Sequence, residues 1–270
     1  MPTAAAALAK FNSSESVGSC SRGCTAPDRL HWWGLKIGDD GCAQLANMIE
    51  TQPNRPSLTN LLLGQNDIGD ACMVTIARVA NAGYFKKLRA LGLSRNRVTN
   101  SGCEALAAAM ANGGFPLLRD LYFSQQTSDL GDACVSSLGR ALASPRGPRQ
   151  LEKISAGDNP ALTVDGFVAL LESVRALPQG GYLGAPKLRE LSARNISNLC
   201  AALTPAQRTR LLAALSGLAN SGGRASLLRR RVHVVLKTPE CSVLGDDPAW
   251  LTARARWVSA QHNEVRVTLS

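Results

Sequence analysis

One pattern recurs along this chain at a near-constant interval and limits its fold more than any other property. Leu58-Thr-Asn-Leu61-Leu-Leu63-Gly-Gln-Asn66-Asp-Ile68 fits the template L-x-x-L-x-L-x-x-N-x-I at every required place. Leu88-Arg-Ala-Leu91-Gly-Leu93-Ser-Arg-Asn96-Arg-Val98 repeats it 30 residues later, with Val98 in the last place. A third copy, Leu118-Arg-Asp-Leu121-Tyr-Phe123-Ser-Gln-Gln126, carries Gln for Asn, and a fourth runs Leu151-Glu-Lys-Ile154-Ser-Ala156-Gly-Asp-Asn159. Weaker copies flank these, Leu30-His-Trp-Trp33-Gly-Leu35 and Leu188-Arg-Glu-Leu191-Ser-Ala193. Six units thus start at Leu30, Leu58, Leu88, Leu118, Leu151 and Leu188. Such a period marks a stack of supersecondary units, each unable to bury its apolar face without its neighbours.

Behind each strand motif comes a segment suited to open a helix, as in Ile68-Gly-Asp-Ala-Cys72, Val98-Thr-Asn-Ser-Gly102 and Leu130-Gly-Asp-Ala-Cys134. Asp and Asn there can accept from the unpaired N–H groups of a helix start. Apolar residues at helical spacing follow, for example Cys103, Leu106 and Met110, or Phe167, Leu170, Leu171 and Val174. These units resemble the leucine-rich repeat family, and within it the ribonuclease-inhibitor-like branch, because each carries a full helix. The resemblance spans residues 30–199 and implies an α/β solenoid with a curved parallel sheet on the concave side and helices on the convex side. It also implies that Asn66, Asn96 and Asn159 form a structural ladder whose buried amides satisfy backbone groups after each strand.

Residues 1–29 are rich in Ala, Ser, Thr and Gly and form a flexible N-terminal arm in this reading. Their composition is also compatible with an organellar transit peptide, although Glu15 and the scarcity of early Arg count against import. The repeats occupy residues 30–203, and residues 204–270 are expected to form a basic capping region of degenerate βαβ type. In it Thr204-Pro205 opens a helix to Asn220, Arg231–Lys237 forms a strand, Asp247-Pro248 opens a second helix to Ala260, and Glu264–Ser270 forms a second strand. Whether it extends the solenoid or folds as a separate small domain is left open by its composition.

The chain carries a formal charge of +10, and its placement is uneven. Residues 187–270 hold 13 basic and 5 acidic residues, whereas residues 1–186 are nearly balanced at +2. Arg229, Arg230, Arg231, Arg254, Arg256 and Arg266 would make a basic C-terminal surface for an acidic protein or RNA. Base stacking there would rest on Trp250 and Trp257 alone.

Eight cysteines follow no recognisable secretory signal, which points to an intracellular, cytoplasmic chain with reduced thiols. Cys42, Cys72, Cys103 and Cys134 share the repeat spacing and are expected as small buried apolar groups. No uncharged apolar run reaches the roughly 18–20 residues of a membrane-spanning helix. There is no phosphate-binding loop, dinucleotide fingerprint, nucleophile elbow or paired-histidine metal motif, and His31, His233 and His262 lie in separate segments. Catalysis, cofactor and metal are accordingly not expected.

The leading expectation is a non-catalytic protein–protein interaction module, an adaptor, scaffold or structural subunit of a larger assembly, binding through the concave face and the basic C-terminal end. Strand alternation puts Trp32, Leu62, Arg95, Asp120, Tyr122, Lys153, Asp158, Glu190 and Arg194 on that face, with Gln65 and Gln125 among them. A second reading is a nucleic-acid-associated, ribonucleoprotein subunit using the C-terminal basic surface. A third, from the resemblance alone, is a GTPase regulator similar to the Ran GTPase-activating protein, although the acidic tail typical of it is missing. Inhibition of basic ribonucleases is disfavoured by a net charge of the wrong sign.

Overall fold

The computed structural model describes residues 24–26, 28–51, 57–127, 129–175, 187–188, 190–192, 204–220, 232–236 and 265–269. Among the described residues strands and helices alternate from β2 to β8: β1 Cys24–Ala26, β2 Arg29–His31, α1 Gly38–Thr51, β3 Asn60–Leu62, α2 Asp70–Asn81, β4 Ala90–Gly92, α3 Asn100–Ala111, β5 Asp120–Tyr122, α4 Asp132–Ala143, β6 Lys153–Ser155, α5 Val164–Arg175, β7 Glu190–Ser192, α6 Pro205–Asn220, β8 Val232–Leu236 and β9 Val265–Leu269. All nine strands form one sheet in chain order. Each strand from β2 to β8 is parallel to the next, and β1 is antiparallel to β2. Residues 24–26, expected within the N-terminal arm, instead pair with β2, and residues 1–23 lie outside the described residues. At the other end β8 and β9 continue the same sheet from β7.

The register follows from the leucine spacing. Leu61, Leu91, Leu121, Ile154 and Leu191 are aligned partners and all are buried. Leu63, Leu93, Phe123 and Ala156 repeat the pattern two residues on, so the helix side of each strand is wholly apolar. Consecutive helices pack side by side from α1 to α6 over this layer. Burying one such Leu is worth about 1.5–3 kcal/mol, so the row of aligned leucines is what makes the stack cohere.

The first unit departs from the expected register. Leu30 pairs with Leu61, not with Leu58, so this unit begins three residues earlier than the leucine spacing suggests. Trp32 is consequently buried in the core at 0% exposure, and it does not face outward as the alternation from Leu30 had implied. Two bonds fix that choice: Asn66 Nδ2 donates to the Trp32 carbonyl, and Leu35 N donates to Asn66 Oδ1 at 2.8 Å.

Asn66, Asn96, Gln126 and Asn159 form a continuous buried ladder. Asn96 Oδ1 accepts from Asn66 N at 2.8 Å and Ile68 N at 3.2 Å, and its amide donates to the Leu63 and Leu93 carbonyls. Gln126 supplies the same service with a longer arm, reaching Val98 N and the Leu93 carbonyl, while Asn159 Oδ1 receives Gln126 N. A second ladder joins helix starts. Asp39 Oδ1 accepts from Gly69 N and Cys72 N, Asp70 from Thr99 N and Oγ1, Asn100 from Gly131 N and Cys134 N, and Asp132 from Thr163 N and Oγ1. Each of these side chains thus caps the following unit's helix, which ties neighbours together as well as satisfying orphan donors. At α6 the cap is local: Gln207 N donates to Thr204 Oγ1 while Gln207 Oε1 receives Thr204 N.

The cysteines at the repeat spacing are buried as expected but are not free thiols. Cys42–Cys72 and Cys103–Cys134 are disulfides, with Cα separations of 5.6 and 5.3 Å. Equivalent positions on adjacent packed helices lie within the span that a disulfide bridges. The units are therefore stapled in pairs, β2–α1 to β3–α2 and β4–α3 to β5–α4.

Candidate interaction face

On the side of the sheet away from the helices, two rows of side chains cross the strands. The first row holds Arg29, Asn60, Ala90, Asp120, Lys153 and Glu190, and the second holds His31, Leu62, Gly92, Tyr122, Ser155 and Ser192. A third row, formed in the turns after the strands, is Gln65, Arg95, Gln125 and Asp158. All four have left-handed backbones, with φ of 58°, 59°, 59° and 58°. That conformation costs a residue with a Cβ roughly 1–2 kcal/mol. It is held here by bonds to the next unit: Gln65 N to Ser94 O, Arg95 N to Ser124 O and Gln125 N to Gly157 O, each close to 2.9–3.0 Å.

The side chains of this row are linked end to end. Trp33 Nε1 donates to Gln65 Oε1 at 2.9 Å, and the Arg95 guanidinium lies 5.9 Å over the Trp33 ring. Arg95 Nε donates to Gln125 Oε1, and Gln125 Nε2 reaches Asp158 Oδ2 at 3.4 Å. Trp33 can lie flat because the facing residue is Gly64, where a Cβ would sit 2.2 Å from the indole. The exposed aromatic of the first unit is thus Trp33, at 37% exposure, and His31 holds the strand position beside Leu62. Neither stood among the residues expected on this face. The signal for Trp33 is the small residue one unit further on.

Beside the third row the face is charged and aromatic. Lys153 Nζ pairs with Glu190 Oε1 at 2.8 Å and lies 5.6 Å over the Tyr122 ring. Between Leu62 and Tyr122 the floor drops to Ala90 and Gly92, both buried. A Cβ on Gly92 would meet Leu62 at 2.8 Å. Asp120 borders this depression, and among the described residues no hydrogen bond or ion pair reaches its carboxylate. Burial pushes its pKa up, and Glu152 adds to that, against opposing pulls from Lys153 and Arg119. Burial and then Asp120 push the Tyr122 phenol up, while burial and then Arg29 push the His31 imidazole down. His31 Nε2 is buried without a hydrogen-bond partner among the described residues.

Leu62, Arg95, Asp120, Tyr122, Lys153, Asp158 and Glu190 thus share one face, from which Trp32 is absent. Arg194, Arg229, Arg230, Arg231, Arg254 and Arg256 lie outside the described residues, and Arg266 is placed on β9. Among the described residues no cluster of His, Cys, Asp and Glu could hold a metal ion, and no helix is long and apolar enough to cross a membrane. The chain matches no protein-family model, and no curated protein matches it.

Proposed function

We propose that the chain is a leucine-rich repeat protein of the ribonuclease-inhibitor-like kind, acting as a non-catalytic interaction module that holds a protein partner on the open face of its sheet. The observation that supports this most is the linked row Trp33, Gln65, Arg95, Gln125 and Asp158. Four of its members keep a left-handed backbone that Gly would adopt without cost, yet all four carry polar side chains. Strain kept at positions whose side chains reach solvent or lie half-buried supports a use in binding. The row is also pre-ordered, which lowers the entropy a partner must overcome. Trp, Tyr and Arg, the residues that dominate binding energy at protein interfaces, are present as Trp33, Tyr122 and Arg95.

The test is capture of a stoichiometric protein partner by the wild-type chain and by an Arg95→Glu, Tyr122→Ala double variant. The variant should still unfold cooperatively, with a midpoint lowered only modestly by loss of the half-buried Tyr122 ring, and lose that partner by at least about tenfold in affinity, as expected for two central anchors. Equal capture by both proteins would remove the open face from the account.

A further inference from the structure

We propose that a second surface, the edge formed by the loops leading from helices into strands, docks an acidic protein segment that also carries apolar residues. The loops at residues 82–89, 112–119 and 144–152 lie side by side. Arg89 N donates to Thr59 O, Arg119 N to Arg89 O and Glu152 N to Arg119 O, while the Arg146 backbone and Cβ lie within 3.5 Å of where a Cβ on Gly113 would stand. Together they present Lys86, Lys87, Arg89, Arg119, Arg146 and Arg149 against Glu152 alone. This edge belongs to the repeats, where the sequence is nearly neutral overall, so its charge comes from segregation within each unit. The opposite edge holds the helix-capping Asp39, Asp70 and Asp132, whose carboxylates are already engaged.

Helix capping does not explain the cations. The last carbonyls of α2 receive Ala82 N, Gly83 N and Tyr84 N, and those of α3 receive Asn112 N, Gly113 N and Gly114 N. Lys86, Lys87, Arg89 and Arg146 are exposed, and no ion pair reaches their side chains among the described residues. Arg119 has only a 4.0 Å contact to Glu152. Their backbone is firm, because Phe85 and Phe115 stack at 5.9 Å beneath the loops and are themselves buried.

Two apolar groups decide the kind of anion. Tyr84 and Leu117, each 39% exposed, come from adjacent loops of this same edge. An aliphatic side chain offers nothing to a phosphate backbone and stacks poorly on bases, so a nucleic acid would use the cations and leave Leu117 idle. A segment of Asp and Glu interspersed with Leu or Phe would use both, with carboxylates over Arg89, Lys86 and Lys87 and an apolar side chain between Tyr84 and Leu117.

The full chain should be titrated with a fluorescent peptide of Asp, Glu and Leu, with polyglutamate of the same charge, and with a uridine oligonucleotide of the same charge. The leucine-containing peptide should bind tightest, in a salt-dependent manner. Lys86→Glu, Lys87→Glu, Arg89→Glu together should weaken it by about tenfold or more, as charge reversal at a complementary patch does. Leu117→Ser with Tyr84→Ser should reduce its affinity to that of polyglutamate. All of these side chains are exposed, and unchanged unfolding midpoints would show that the variants fold. Tighter binding of the oligonucleotide, or a peptide affinity untouched by the triple reversal, would overturn the proposal. Neither result would bear on the open face, which is tested with different residues.

Discussion

Asn96→Ala should be among the most damaging single substitutions in the repeats, although it removes a side chain of modest size and no apolar packing. Asn96 is 1% exposed, and its amide serves groups in two units. The substitution leaves Asn66 N, Ile68 N and the Leu63 carbonyl without the partner they now share, whereas the Leu93 carbonyl keeps its bond from Gln126 Nε2. At about 1–3 kcal/mol for each buried group left unsatisfied, three such groups and some relaxation give a loss of about 3–6 kcal/mol. That is a large part of the roughly 5–15 kcal/mol by which a domain is stable. Urea unfolding with linear extrapolation measures the loss. Hydrogen exchange at the Asn66 and Ile68 amides locates it, since both should lose protection ahead of the rest. Glu104→Ala, at an exposed position of α3, serves as the control and should change stability by under about 0.5 kcal/mol. A loss below about 1 kcal/mol for Asn96→Ala, or unchanged protection at those two amides, would refute the ladder as the support of the turns.

Three further outcomes are expected. Reducing the Cys42–Cys72 and Cys103–Cys134 bonds, which close loops of 30 and 31 residues, should cost about 3–4 kcal/mol each on the chain-entropy account, read as a fall in the urea midpoint with a thiol reductant. Gly64→Ala should expel the Trp33 indole from its seat and shift its fluorescence to the red, because the new Cβ would stand 2.2 Å from the ring; an unshifted spectrum would contradict the seating. Asp120→Asn should stabilise the fold at neutral pH. Burial raises the Asp120 pKa in the folded state, so the native protein holds this proton more tightly and its charged form opposes folding as the pH rises through that folded pKa. The gain should vanish below the ordinary carboxylate range, where both states are protonated, and unfolding midpoints at neutral and acid pH check the sign.

The units from Leu58 onward are legible because strand alternation forces every second residue toward the helices. The aligned row from Leu61 through Leu91, Leu121 and Ile154 to Leu191 follows from that alone. The first unit is not legible in this way. Two adjacent Trp residues fit either face by composition, and the choice of Trp32 for the core depends on Asn66, which lies a full unit downstream. The helix-start acids were recognisable by type, but their targets were not, since Asp39, Asp70 and Asp132 act across units. Shared spacing placed the four cysteines at equivalent positions without revealing which neighbours join. The left-handed row was hidden for a similar reason. The repeat template leaves residues 65, 95, 125 and 158 unspecified, and their backbone is set by hydrogen bonds from the next unit.

Hydroxyl-radical footprinting of the chain, alone and in complex with the protein partner proposed above, once captured, addresses the central claim most directly. Trp33 and Tyr122 on the open face should become protected, while Val74, 56% exposed on α2, should react as before. Protection at Val74 with Trp33 and Tyr122 left reactive would place the partner on the helices and contradict the account.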